Sequence, residues 1–85
     1  MSINKLQEHV NKFVSGNDIS IQWAKDAETL LDQLEQENIL EEGILDDFQD
    51  NLSIYRPGGG AHLIDELEMK KKCIKFIEAI EKKFN

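Results

Sequence analysis

A chain of 85 residues forms one small domain that buries roughly 60–65% of its unfolded surface, which leaves little volume for an enclosed active site. A composition that is 40% hydrophobic and 32% charged is typical of a folded domain and excludes a disordered one. The formal net charge of −7 opposes binding to nucleic acids and to anionic membranes.

The cellular location is predicted from the cysteine content and the absence of targeting segments. The single Cys73 excludes an intramolecular disulfide and is typical of a reducing compartment. Residues 1–5 hold no signal-peptide pattern, and no apolar run is long enough to span a membrane. We therefore expect a cytoplasmic protein that forms one helical domain over residues 1–85.

Apolar residues recur with helical spacing through the first half of the chain. In the first segment, Ser2 is the expected N-cap and residues 15–17 the expected stop. Its apolar face contains Ile3, Leu6, Val10, Phe13 and Val14. A second helix is expected to begin near Asp18 or Ser20. Its apolar stripe contains Trp23, Ala27, Leu30, Leu31 and Leu34.

A third helix is predicted after the short polar link at residues 35–38, which should make the second and third helices neighbours. Asn38 followed three residues later by Glu41 has the spacing of a capping box. Pro57 and the glycines at 58–60 end this helix. Its apolar face contains Leu40, Ile44, Leu45, Phe48, Leu52 and Tyr55.

The fourth helix is expected to extend from about His62 to Phe84, with a broad apolar arc. The arc contains Leu63, Leu67, Cys73, Ile74, Phe76, Ile77, Ile80 and Phe84. Lys70 interrupts it, and we expect this lysine to reach solvent and to pair with Glu66 one turn earlier. The alternative is that the first two turns leave the bundle or form a subunit contact.

Four amphipathic helices with short connections predict an all-α fold, a small antiparallel four-helix bundle. The alternative is a three-helix packing with an irregular N-terminal segment.

Acidic side chains are concentrated between Asp26 and Asp50, where ten carboxylates occur within 25 residues that contain no Lys, Arg or His. The ten are Asp26, Glu28, Asp32, Glu35, Glu37, Glu41, Glu42, Asp46, Asp47 and Asp50. The helix dipole accounts for acids in a first turn but not for Asp32, Asp46 or Asp50. The region therefore predicts either a surface for a basic protein partner or a face that serves solubility alone.

Seven residues are the candidate partner-binding set: Asp32, Glu35, Glu42, Asp46, Asp50, Tyr55 and Arg56. Tyr and Arg are residue types favoured in binding hot spots. The expected partner is a basic, nucleic-acid-handling protein that this chain inhibits, or the basic helix of a larger complex. In the structural alternative, Tyr55 lies in the core and Arg56 caps the third helix or pairs with Asp50. The competing class is an oligomerisation module that forms a homodimer through the last helix.

The loop after the third helix offers a further candidate site. A glycine-rich stretch before a helix can bind an anion through backbone N–H groups, although the Walker signature is absent here. The residues Ile54-Tyr55-Arg56-Pro57 resemble the tyrosine-proline turn of colicin-type nuclease immunity proteins. The resemblance covers about four residues, and the Asp-rich loop and late Trp-Arg pair of that family are missing from this sequence.

Catalytic and metal chemistry have no recognisable pattern in the chain. No window fits an EF-hand, and neither His9 nor His62 has a Glu three residues before it, as a di-iron bundle requires. Cys73 lies on the apolar arc and is expected to be a buried thiol. We predict no catalytic residue, no cofactor and no metal, and a protein that is not an enzyme; the alternative is a small enzyme subunit.

Overall fold

The computed structural model describes residues 2–38 and 42–84, which form four α-helices. These are α1 (Ser2–Val14), α2 (Ile21–Glu37), α3 (Glu42–Ser53) and α4 (Glu66–Phe84). Helices α1 and α3 each contact both α2 and α4. Within the described ranges, the diagonal pairs α1–α3 and α2–α4 make no contact. The predicted all-α four-helix bundle is confirmed. The three-helix alternative is wrong, because the first segment is a regular helix packed against two neighbours.

Neighbouring helices run antiparallel, as their short connections predict. Phe13 near the end of α1 contacts Trp23 near the start of α2, with ring centroids 4.4 Å apart. Phe48 in the first half of α3 stacks on Phe76 in the second half of α4, at 4.1 Å. The loops at residues 15–20 and 54–65 therefore lie at the same end of the bundle.

The core consists of apolar side chains from all four helices and from Tyr55. Trp23 and Tyr55 are the largest of them, and both are fully buried. The predicted stripe of α2 is confirmed, with Leu30 half-buried at its edge. The buried set is Ile3, Leu6, Val10, Phe13, Trp23, Ala24, Ala27, Leu31, Leu34, Leu45, Phe48, Leu52, Tyr55, Met69, Cys73, Phe76 and Ile80.

Local hydrogen bonds set the end of α1 and the start of α2. Gly16 has a φ of 82°, and its N–H donates to the carbonyl of Phe13 at 3.0 Å, which ends the helix where expected. Ser20 is the N-cap of α2, and its hydroxyl oxygen accepts from the Trp23 N–H at 3.1 Å. The Ser20 hydroxyl also donates to Asp18 at 2.7 Å, which lowers the pKa of that carboxyl.

Asn38 ends α2 and does not begin α3 as expected. Its φ of 55° is left-handed, and its N–H donates to the carbonyl of Leu34 at 3.1 Å. Asparagine tolerates this conformation better than most residues, so it serves as the C-cap of the longer helix. The other half of the expected capping box, Glu41, lies outside the described residues, as does Leu40.

The fourth helix begins at Glu66, four residues later than expected. His62 has a left-handed φ of 62°, which is incompatible with an α-helix. The carboxylate of Asp65 accepts from the Glu68 N–H at 2.9 Å and caps the helix. The pair Asp65 and Glu68 has capping-box spacing, which was the sequence signal for the true start.

The buried stripe of α4 is narrower than the predicted arc and consists of Met69, Cys73, Phe76 and Ile80. Leu67 stands about 200° around the helix from Met69 and is 67% exposed, so its expected place on the core face is wrong. Lys70 is exposed and does not form the expected ion pair with Glu66. The Glu66 carboxylate accepts from the Gly58 N–H. The Phe84 side chain lies outside those described.

Candidate protein-binding surface

The acidic residues of α2 and α3 lie on adjacent helices, and we call Asp32, Glu35, Asp46 and Asp50 the acidic seam. All four side chains are exposed. Glu42 was predicted to belong to this set; it begins α3, but its side chain lies outside those described. Helices α2 and α3 contact each other, so the two predicted acidic stripes belong to neighbouring helices.

Helical spacing places the α2 members of the seam on the flank that faces α3. A small pocket of about 170 Å³ marks the α2–α3 boundary at one end, and Glu28 and Ser53 are among its lining residues. Asp32 follows Glu28 by one turn and Glu35 follows by two, so both continue along this flank. Asp46 precedes Ser53 by seven residues and therefore shares its side of α3. Asp32, Glu35 and Asp46 thus lie along the junction of the two helices, and Asp50 lies next to them on the outer face of α3.

The charges of the acidic seam are not neutralised locally. Its four carboxylates make no hydrogen bond or ion pair with the residues that the structure describes. Among the residues that the structure describes, the ion pair is on α4, where Lys71 Nζ lies 3.7 Å from Glu68 Oε1. Like charges on one helix face repel, so the seam retains its full anionic field at a cost in folding free energy.

Arg56 stands at the end of the seam that lies beside the loops. Its guanidinium Nη1 donates to the backbone carbonyl of Tyr55 at 2.6 Å, and its side chain lines the boundary pocket with Lys25 and Glu28. The alternative in which Arg56 pairs with Asp50 is not observed among the described residues. The two cations give the acidic seam a positive border at this end.

Tyr55 is fully buried, as in the structural alternative considered for it. Its hydroxyl donates to the backbone carbonyl of Ile19, and its ring packs edge-on against Phe13 at 5.1 Å. Burial raises the pKa of the phenol to about 12. The side chain therefore holds the 15–20 loop against the 54–65 loop and offers no surface to a partner.

The glycine-rich loop is closed by its own hydrogen bonds. The N–H of Arg56 donates to the Ile64 carbonyl and the N–H of Ile64 donates to the Ile54 carbonyl, both at 3.0 Å. The Gly58 N–H belongs to the glycine-rich stretch and donates to the Glu66 carboxylate at 2.7 Å. An internal carboxylate thus occupies one of the donors that the sequence suggested for an external anion.

A groove between α3 and α4 was not foreseen from the sequence, and we call it the α3–α4 groove. It encloses about 400 Å³ over the stacked rings of Phe48 and Phe76. Asp47 lines it from α3, while Lys72 and Lys75 line it from α4. The sequence shows that each of these charged residues directly precedes a residue of an apolar stripe. That they face the same groove follows only from the packing of α3 against α4.

The side chains that the structure describes form no metal site and no reactive thiol site. No group of three or more His, Cys, Asp or Glu residues in the described ranges is placed to hold a metal ion. Cys73 is fully buried, and desolvation raises the pKa of its thiol to about 12, so the thiol stays protonated at neutral pH. Within the same ranges, no helix has the length and apolar character needed to cross a membrane.

Comparison of the chain with protein-family models, with curated proteins and with solved structures finds no match.

Proposed function

We propose that this chain is a protein-binding domain that docks a basic protein partner on the acidic seam. The observation that carries the proposal is a set of four exposed carboxylates on two adjacent helices, without local compensation. In its sharper form, the chain is an inhibitor, antitoxin or immunity-type partner of a nucleic-acid-handling protein. Its single buried thiol suits a reducing cytoplasm, where we place this role.

The physical basis of the proposal is charge complementarity. A cationic surface that normally binds phosphates would meet a row of carboxylates at the junction of two packed helices. Such complementarity raises the association rate and selects the partner, while buried apolar groups supply most of the affinity. Because helices α2 and α3 are packed together, the backbone positions of the four carboxylates are set before binding, and the ordering cost is confined to their exposed side chains.

The loop-side end of the seam supplies a mixed apolar and cationic contact. Ile21 is 40% exposed and lines the boundary pocket with Arg56. The exposed isoleucine provides apolar area, and the arginine provides directional N–H donors. The carboxylates of the acidic seam provide neither. We include both residues in the proposed contact and leave out Tyr55, which is buried.

The test compares two variants with equal changes in net charge. In the seam variant, Asp32, Asp46 and Asp50 are changed to Asn. In the control variant, Glu8, Glu78 and Glu81, which are exposed on α1 and α4, are changed to Gln. Immobilised wild-type and variant proteins are used to capture partners from a lysate of the source cells at about 0.05 M and about 0.3 M salt, which differ in screening length.

The seam variant is expected to lose a basic partner that the wild type and the control both retain, with weaker capture at the higher salt. Equal capture by all three proteins would show that the acids serve solubility alone. For the inhibitor form, the captured partner is assayed for nuclease activity with and without the chain. Activity that is unaffected by an excess of the chain would contradict inhibition.

A further inference from the structure

We propose that the α3–α4 groove is the contact surface between two copies of this chain, related by a two-fold axis parallel to the helices. This inference goes beyond the proposed function and does not rest on it, because the groove and the acidic seam use different flanks of α3. Asp46 and Asp50 follow the α2 side and the outer face, whereas Asp47 lines the groove.

The two rims of the groove carry opposite charges. Asp47 stands on the α3 rim, and Lys72 and Lys75 stand on the α4 rim. The Asp47 carboxylate and the two ammonium groups make no ion pair with the residues that the structure describes. One acid and two bases thus face the same groove while each remains available to a partner.

Two-fold symmetry turns this pattern into self-complementarity. If the axis runs parallel to the helices, α3 of one copy lies over α4 of the other, and each Asp47 faces Lys72 and Lys75 of the opposite copy. If the axis runs across the helices, α3 lies over α3, and Asp47 faces Asp47. The charges therefore favour the first geometry and oppose the second, since juxtaposed like charges are destabilising.

The groove also offers an apolar floor and room for approach. Phe48 and Phe76 form its base, and Ile44 and Ala79 are half-buried beside them. Gly43 lies at the mouth of the groove, where a Cβ atom would meet no atom within 4 Å. A second copy that packs here covers both half-buried residues without changing the fold of either chain.

Sedimentation equilibrium at about 0.15 M salt tests the proposal, because the screening length of about 8 Å weakens the repulsion between two chains of net charge −7. The wild type is expected to dimerise, and Asp47→Lys is expected to raise the dimer dissociation constant at least about tenfold. Glu8→Lys changes the net charge equally at an exposed position of α1, the helix diagonal to α3, and is expected to leave the dissociation constant within about threefold. The triple variant Asp47→Lys, Lys72→Asp, Lys75→Asp reverses both rims and should restore dimerisation.

Gly43→Gln gives a second test that does not depend on charge. The new side chain extends into open space in the monomer, so thermal stability is expected to be retained or raised, while the dimer is expected to weaken at least about tenfold. A wild type that stays monomeric at about 1 mM would overturn the proposal. So would equal weakening by Glu8→Lys, failure of the triple variant to restore dimerisation, or a dimer unaffected by Gly43→Gln.

Discussion

The side chains of His9 and Trp23 each donate a hydrogen bond to the backbone carbonyl of the other residue. Trp23 Nε1 lies 2.7 Å from the His9 oxygen, and His9 Nε2 lies 2.8 Å from the Trp23 oxygen. The two rings stack with centroids 5.3 Å apart and planes 5° from parallel. Since a carbonyl oxygen only accepts, His9 Nε2 carries a proton here. This reciprocal pair fixes how α1 and α2 lie against each other.

Trp23→Phe is expected to lower the free energy of unfolding by about 1–3 kcal/mol through the His9 carbonyl that loses its donor, with a further loss from packing. Urea unfolding followed by circular dichroism measures the change. Ile21→Ala, at an exposed position two residues away, is the control and should change stability by less than about 1 kcal/mol. A Trp23→Phe protein as stable as the control would mean that the indole N–H contributes nothing.

Tyr55→Phe removes the hydroxyl that joins the 54–65 loop to the backbone of Ile19. The expected loss is about 0.5–1.5 kcal/mol, the net value of one hydrogen bond, because the buried ring is retained. Amide hydrogen exchange should quicken in both loops at the same end of the bundle. Faster exchange confined to the C-terminal end of α2, at the opposite end of the bundle, would argue against this role.

Stability is expected to fall at alkaline pH because two buried groups hold their protons more tightly in the folded protein. Burial raises the pKa of Cys73 from 9.0 to about 12 and that of Tyr55 from 10.0 to about 12. The stability that each group contributes is fully present below its ordinary pKa, 9.0 for Cys73 and 10.0 for Tyr55, and is lost as the pH rises toward the folded-state pKa of about 12. Urea unfolding between about pH 8 and 11 measures the decline. It should be shallower in the double variant Tyr55→Phe, Cys73→Ala, and an unchanged slope would show that other groups cause it.

Relief of repulsion in the acidic seam is expected to stabilise the monomer. Asp46 and Asp50 are one turn apart on α3, so the double change of both to Asn should raise the free energy of unfolding by about 0.2–0.5 kcal/mol or slightly more. Part of the gain comes from removing an acid near the C-terminal, partially negative end of the helix. Thermal unfolding at low salt measures it, with Glu8→Gln as the control, because Glu8 is flanked within one turn by Lys5 and Lys12 and not by acids. A loss of stability would mean that these acids have stabilising partners.

The core of α2 was predicted correctly because a long apolar stripe has only one way to face a bundle. The error at α4 has a different cause. Leu63 and Leu67 fit the helical period, but periodicity alone does not tell which part of a wide arc faces the neighbours. Leu63 lies outside α4, because His62 has a left-handed backbone and Asp65 caps the helix, which begins at Glu66.

Asn38 was misassigned for a related reason. Asparagine favours both the N-cap and the left-handed C-cap of helices, so its identity does not say which helix it belongs to. For Tyr55, the sequence is compatible with both a core position and a partner contact. Only the packing of the two loops against each other decided that its hydroxyl would be used inside the protein.

The sequence by itself determined four amphipathic helices and a run of acidic residues without basic neighbours, because both are properties of residue order and helical period. Tertiary structure alone decided which flanks meet. It placed the acids of two helices next to one another and paired the Gly58 N–H with the Glu66 carboxylate. It also placed Asp47 across a groove from Lys72 and Lys75. These outcomes depend on contacts between segments distant in the chain, which local spacing does not encode.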